Sequence, residues 1–243
     1  MMTVAVFAAI HLFVGRLRRL DAVPRSGWLS FAGGSAVAYV FLHILPELAE
    51  HQTSFARGSG FAVAQIDLFV YALALVGVVV FYMAERQLVL SRAEAGDGGR
   101  AGMDESDPVY RMHVTTFALY NLLIAYLLLH REERGLLAEA LFAFAMALHL
   151  LTTDFAMWRD HADTYDRRSR WILTGGSLAG FVLGLVVELP ELFVGCLFAF
   201  LAGGTVLNVL KEELPEERES RALPFLAGAL FYAGLLIAER MLA

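Results

Sequence analysis

Long apolar blocks separated by short polar segments make up almost the whole chain. A block of about 20 apolar residues is long enough to cross a bilayer as a helix. Eight blocks of roughly this length occur, so the pattern predicts an all-α polytopic membrane protein with eight transmembrane helices. The predicted helices cover Met2 to Gly15, Trp28 to Ala49, Phe61 to Ala84, Met112 to His130, Gly135 to Trp158, Trp171 to Glu188, Leu192 to Leu210 and Ala222 to Leu242.

The polar segments between these blocks differ in length. The longest, Glu85 to Arg111, carries several acidic residues and Pro108, and predicts a flexible cytoplasmic linker between the third and fourth helices. The segment from Arg159 to Arg170 is dense in charge and predicts a loop. Since no other polar segment is long, residues 1–243 are predicted to form a single transmembrane domain.

Composition supports a membrane protein and excludes other classes. Of the 243 residues, 58% are hydrophobic, whereas soluble domains usually have about 45–50%. Lys211 is the only lysine among 19 basic residues, which is typical of a GC-rich bacterial genome and favours the cell (inner) membrane. No glycine-rich phosphate loop or basic aromatic patch is present, so we expect no organic cofactor and no nucleic-acid partner.

The basic residues also predict the orientation of the chain. Most of the 19 lysines and arginines lie in the loops after the first, third, fifth and seventh helices. Loops enriched in these residues usually face the cytoplasm. Both termini are therefore predicted to lie outside.

The second and seventh helices share a pattern. In the second helix, Gly33 to Ser35 precedes Leu45 to Glu47, and in the seventh, Gly203 to Thr205 precedes Leu214 to Glu216. The predicted orientation makes these helices run in opposite directions, which is typical of the inverted repeats of secondary transporters. The glycine pairs predict close helix contacts. The alternative is that both motifs are ordinary start and stop signals of membrane helices.

These two segments, GGSAVAYVFLHILPELAEH and LAGGTVLNVLKEELPEE, resemble the glycine-rich helices of the ZIP family of divalent-metal, mainly zinc, transporters. The helix number and the long linker also resemble that family. The resemblance implies an inverted repeat of helices 1–3 and 6–8 around helices 4 and 5. It further implies zinc or a similar divalent cation as the transported substrate, and a homodimer in the lipid bilayer.

The fourth and fifth helices depart from the family pattern. The family's His-Asn pair and carboxylate in the fourth helix are reduced to Asn121, and the fifth helix keeps only His149 and a carboxylate, Asp154. The resemblance implies a reduced metal site from Asn121, His149, Thr153 and Asp154. On a regular helix Asp154 points about 140° away from His149. The alternatives are proton binding by Asp154, a proton relay of Asp154 with His149, and a polar cluster that joins helices.

Two further pairs are candidate cation pathway residues. His43 and Glu47 lie four residues apart on one face of the second helix, and Asp160 and His161 follow the fifth helix. The family resemblance places the first pair on a route into the membrane, and a metal exit site is one interpretation of the second. The alternatives are a water-facing pair and an ordinary charged loop.

The sequence leaves three functions open. The first is ZIP-like transport of a divalent cation, and the second is a ZIP-fold protein without transport that has a binding, regulatory or structural role. The third is an intramembrane metal-dependent hydrolase that uses His43, His149 and Asp154. No HExxH motif occurs, so we do not expect an enzyme.

Overall fold

The computed structural model describes residues 1–17, 27–50, 63–94, 107–130, 135–213 and 221–242. Within these ranges 93% of the residues are helical and no strand occurs, which confirms the all-α prediction. The described helices are α1 (Met2–Phe13), α2 (Gly27–Glu50), α3 (Val63–Glu94), α4 (Pro108–Leu127), α5 (Leu136–Asp160), α6 (Ala162–Val186), α7 (Glu191–Glu213) and α8 (Ala222–Leu242).

Six of these helices, α2, α3 and α5 to α8, are long and apolar enough to cross a membrane. A shorter apolar helix, Met2–Arg16, comprises α1 and a 3₁₀ turn. The six long helices indicate a multi-pass membrane protein.

The linker predicted over Glu85 to Arg111 is too long at both ends. Helix α3 continues to Glu94 because its last turns still carry apolar residues, among them the buried Leu88. Helix α4 begins at Pro108, and the Asp107 side chain caps it by accepting a hydrogen bond of 2.8 Å from the Val109 N–H. Residues 95–106 of the predicted linker lie outside the described ranges.

The loop predicted over Arg159 to Arg170 is also wrong. After Asp160 the chain turns at His161 and at once forms α6, whose second segment, Tyr165–Ser169, is a π-helical turn. The reason is that Tyr165 and Ser169 are fully buried, while Arg167 and Arg168 between them are exposed. Such π turns inside helices often mark functional positions.

The chain folds into two compact units. The first contains Met1–Arg18, Val79–His130 and Leu150–Glu188, and therefore α1, α4 and α6 with parts of α3 and α5. The second contains Arg19–Val78, Arg131–His149 and Leu189–Ala243, and therefore α2, α7 and α8 with the other parts of α3 and α5.

In the first unit, a row of glycines brings α6 against α4. Gly176, Gly180 and Gly184 follow each other at four-residue intervals and share one face. A methyl group added at Gly180 would lie 2.0 Å from the Leu122 carbonyl oxygen, and one at Gly176 would lie 2.5 Å from the Ala118 carbonyl oxygen. The contacts advance in the same direction along both helices, so α4 and α6 run parallel with their backbones in direct contact.

In the second unit, α2 and α8 meet through a reciprocal pair of glycines. A methyl group at Gly34 would lie 1.9 Å from the Phe225 carbonyl oxygen, and one at Gly228 would lie 2.0 Å from the Phe31 carbonyl oxygen. The Ser35 hydroxyl donates a hydrogen bond of 3.1 Å to the Gly228 carbonyl. The contact is the same in both directions. Gly34 packs on the carbonyl of Phe225, three residues before Gly228, and Gly228 packs on the carbonyl of Phe31, three residues before Gly34.

Helices α3 and α7 repeat the same arrangement. A methyl group at Gly77 would lie 2.0 Å from the Phe200 carbonyl oxygen, and one at Gly203 would lie 1.8 Å from the Ala74 carbonyl oxygen. The offset of three residues is again the same in both directions. The prediction that Gly34 and Gly203 allow close helix contacts is therefore confirmed.

Candidate functional site

A buried polar cluster in the first unit joins α1, α5 and α6. Its centre is Asp154, whose Oδ2 lies 2.5 Å from His11 Nδ1 and accepts a hydrogen bond of 2.7 Å from the Tyr165 hydroxyl. On the other side of the ring, His11 Nε2 lies 3.2 Å from Ser177 Oγ. We call these four residues the polar cluster.

None of the polar cluster residues is exposed. Asp154 has a relative exposure of 2%, and the other three have 0%. Burial of ionisable groups is costly unless they are paired and hydrogen-bonded. Each group of the cluster has such a partner, so an ionisable His–Asp pair is retained in the interior.

Local structure determines how each side chain reaches the cluster. His11 lies in the last turn of α1, and its backbone carbonyl is 3.1 Å from the Tyr165 hydroxyl. The π turn directs Tyr165 toward Asp154. On α6, Gly176 packs on α4, and the next residue, Ser177, lies on the adjacent face of the helix. That face is turned toward α1, where Ser177 meets His11.

The hydrogen-bonding capacity of the cluster fits two protonation states. The Tyr165 hydroxyl has one proton, and two acceptors, the Asp154 carboxylate and the His11 carbonyl, are within reach. The Ser177 hydroxyl can donate to a neutral His11 ring or accept from a protonated one. A proton can therefore be added to the His–Asp pair while the surrounding groups exchange donor and acceptor roles.

Of the four residues predicted to bind metal, Asp154 alone has a place in the polar cluster. Asn121 lies on α4, where its Nδ2 donates a hydrogen bond of 2.8 Å to the Phe117 carbonyl. Its buried Oδ1 makes no hydrogen bond to the described residues. Thr153 is buried in the first unit and His149 is buried in the second. Within the described ranges, no three His, Cys, Asp or Glu side chains converge as metal ligands.

The residues predicted to line a cation pathway form two local contacts. His43 Nε2 and Glu47 Oε2 are 3.5 Å apart on one face of α2, and both side chains are buried. Asp160 Oδ1 lies 3.6 Å from Arg159 Nε. The His161 ring packs edge-on against the Tyr110 ring, with the ring centres 5.1 Å apart. Burial argues against the water-facing interpretation of the His43–Glu47 pair.

His11, Tyr165 and Ser177 were not predicted as site residues. The first helix reads as a short apolar span, and Tyr165 lies in the segment taken for a loop. His11 is the only ionisable residue between Met2 and Gly15, and that isolation is the one signal available in the sequence. Its partner lies 143 residues away, so no local pattern could identify it.

No family model, curated protein or solved structure matches the chain.

Proposed function

We propose that this chain is a multi-pass secondary transporter whose buried His11–Asp154 pair takes up and releases a proton during transport. The observation that carries the proposal is the polar cluster, a fully buried ionisable pair whose two neighbours can each exchange donor and acceptor roles. Ionisable residues inside membrane helices usually mark ion paths or proton relays. A cluster that only joined helices would not need an ionisable pair, because uncharged groups do this as well.

Helix packing in the second unit supports a transporter built on an inverted repeat. An inverted repeat of helices 1–3 and 6–8 makes α2 equivalent to α7 and α3 equivalent to α8. Exchanging equivalent helices converts the α2–α8 pair into the α7–α3 pair. The same reciprocal glycine contact occurs in both pairs, as that equivalence requires.

The cargo that accompanies the proton is a divalent cation in this proposal, on the basis of the ZIP resemblance. In the described conformation the His11–Asp154 contact suits a proton better than a metal ion. Two ligands bound to zinc at about 2.0 Å in tetrahedral geometry are roughly 3.3 Å apart, whereas these two atoms are 2.5 Å apart. A metal ion would therefore have to separate His11 from Asp154, which couples metal binding to loss of the shared proton.

Proton and zinc flux in proteoliposomes test the proposal. A pH-sensitive dye and a zinc-sensitive dye inside the vesicles report both fluxes for the parent, Asp154→Asn and His11→Gln. Asp163→Asn is the matched control, because Asp163 is an exposed carboxylate outside the polar cluster. We expect flux in the parent and the control, and loss in both cluster variants.

The opposite results would decide between the remaining interpretations. Equal flux in the parent and Asp154→Asn would refute the role of the pair. No flux of either ion in the parent would instead favour the second function, a ZIP-like protein that binds or regulates without transport.

A second candidate function is acyl transfer, because Ser177 Oγ, His11 and Asp154 Oδ2 follow each other in the order of a Ser–His–Asp triad. Two observations argue against it. Ser177 is fully buried, and it lies inside α6, where the backbone N–H groups are used in the helix and are not available for an oxyanion hole. Labelling by a fluorophosphonate that disappears in Ser177→Ala would favour this function over proton transfer.

A further inference from the structure

The π turn Tyr165–Ser169 of α6 is bound at both ends by buried hydroxyl groups. At its first residue, the Tyr165 hydroxyl donates a hydrogen bond to Asp154 in the polar cluster. At its last residue, Ser169 Oγ lies 2.6 Å from the hydroxyl of Tyr110, which belongs to the first turn of α4. Tyr110 and Ser169 are both buried, and a hydrogen bond away from water is stronger than an exposed one. The π turn therefore connects the polar cluster to α4.

This turn contains one residue more than a regular helical turn. The Arg170 N–H bonds to the carbonyl of Tyr165, which lies five residues back instead of four. In a regular α-helix each residue is rotated by about 100° from the one before it. One extra residue in a turn therefore changes the directions of the side chains before and after it, relative to each other, by about 100°.

The rotation decides that Tyr165 faces α1. Ser177 follows Tyr165 by 12 residues, and in a regular helix the two side chains would point about 120° apart. With the extra residue in the π turn they point only about 20° apart. Both indeed meet His11, since the Tyr165 hydroxyl is 3.1 Å from its carbonyl oxygen and Ser177 Oγ is 3.2 Å from its Nε2. The π turn thus allows both side chains to reach the same residue of α1.

The other end of the turn faces α4. Gly176 follows Ser169 by seven residues, so the two point about 20° apart in a regular helix. Accordingly, Gly176 packs on α4 and Ser169 meets Tyr110 there. Without the extra residue, Tyr165 would point about 40° from Ser169, and therefore also toward α4. Conversion of the π turn to a regular helical turn would move the Tyr165 hydroxyl away from Asp154.

We propose that Tyr110 is a positioning residue of the polar cluster. It binds Ser169 and so holds the π turn, and the π turn holds the Tyr165 hydroxyl on Asp154. Because π turns are rare within α-helices, this one depends on the hydrogen bonds at its two ends. The inference rests on the proposed function for its role in transport, since Tyr165 is one of the two neighbours that exchange roles when the His–Asp pair takes up a proton. The positioning itself is a property of the resting protein.

The NMR signal of the Tyr165 phenol carbon tests the positioning without any transport. The full chain in lipid nanodiscs is labelled with ¹³C at the tyrosine Cζ atoms, whose chemical shifts depend on the hydrogen bonds of the attached hydroxyls. Tyr165→Phe assigns the signal, and Asp154→Ala gives its position without the carboxylate. We expect Tyr110→Phe to move the Tyr165 signal in the same direction as Asp154→Ala, although the substitution keeps the aromatic ring of Tyr110.

Tyr126→Phe is the matched control. Tyr126 also lies on α4 and is buried, and its hydroxyl donates a hydrogen bond of 3.1 Å to the Val187 carbonyl, away from the π turn. We expect the Tyr165 signal of this variant to stay at the parent position. An equal shift in Tyr126→Phe and Tyr110→Phe would mean that any lost hydrogen bond of α4 disturbs Tyr165, and would overturn the positioning role.

Two further changes test the route through the π turn. Ser169→Ala, alone or together with Tyr110→Phe, should give the same shift as Tyr110→Phe alone, because the two hydroxyls act as one unit. Deletion of Arg168, an exposed residue of the turn, should leave a regular helix in which Tyr165 and Ser177 share a face. In the deletion variant Tyr110→Phe should no longer move the Tyr165 signal.

The results separate the positioning role from the proposed function. A Tyr165 signal that is unchanged in both Tyr110→Phe and Ser169→Ala would overturn the positioning role, whatever the proteoliposomes show. If the Tyr165 signal moves as expected but the parent carries no proton flux, the positioning role stands and the transport function is refuted.

Discussion

The most quantitative consequence of the fold concerns Gly180, at the centre of the glycine row between α6 and α4. An alanine methyl group there would lie 2.0 Å from the Leu122 carbonyl oxygen and 2.8 Å from the Leu122 Cα, where ordinary contact begins at 3.4 Å. The obstacle is backbone, so no side-chain rotation relieves the clash. The two helices would have to move apart by an ångström or more, which would also loosen the contacts of Gly176 and Gly184.

The expected cost follows from two opposing terms. Overpacking of a tight contact costs about 1–3 kcal/mol, while replacing glycine by alanine in a helix contributes up to about 1 kcal/mol of stability. Gly175→Ala on the same helix gains the helix stabilisation without the overpacking cost, because its methyl group has open space. Comparing Gly180→Ala with Gly175→Ala isolates the clash, and we expect Gly180→Ala to be about 1–3 kcal/mol less stable.

Thermal unfolding of the two variants in the same detergent measures this difference. For a chain of this size, 1 kcal/mol corresponds to a midpoint shift of about 2–4 °C. Gly180→Ala should therefore unfold several degrees below Gly175→Ala. Equal midpoints for the two variants would refute the direct contact between α6 and α4.

Two other substitutions test single contacts by the same unfolding assay. Asp154→Ala removes the acceptor of the His11 ring and of the Tyr165 hydroxyl, but the hydroxyl can still donate to the His11 carbonyl. The unpaired His11 ring should therefore cost about 1–3 kcal/mol, whereas Asp154→Asn, which keeps an oxygen, should cost less; equal losses would contradict the hydrogen bond. Ser35→Ala removes the hydrogen bond to the Gly228 carbonyl and should cost about 0.6 kcal/mol, the average for helix contacts in a membrane, and a gain in stability would contradict it.

The helices were predictable from the sequence because apolar blocks of membrane length have few alternative folds. The close contacts at Gly34 and Gly203 were also predictable, since small residues in such helices usually face another helix. The loop predicted over Arg159 to Arg170 failed because charge density was taken as a sign of irregular structure. The buried His161, Thr164, Tyr165 and Ser169 show instead that residues at helical spacing in this segment face the interior.

The site was only half predictable. Asp154 was identified as unusual because a carboxylate in an apolar block is costly. The family resemblance grouped it with Asn121, His149 and Thr153, and a proton relay with His149 was one alternative. The structure pairs it with His11 on another helix, and that pairing depends on tertiary packing. The metal site implied by the ZIP resemblance stays a prediction.

The protonation state of Asp154 tests the central claim most directly. Infrared difference spectroscopy of the full chain in lipid, recorded between high and low pH, detects the carbonyl stretch of a buried protonated carboxyl group. We predict a band in the parent that is absent in Asp154→Asn, present in the Asp163→Asn control and shifted in Tyr165→Phe, because Tyr165 donates to this carboxylate. Identical difference spectra for the parent and Asp154→Asn would contradict the claim that this pair takes up and releases a proton.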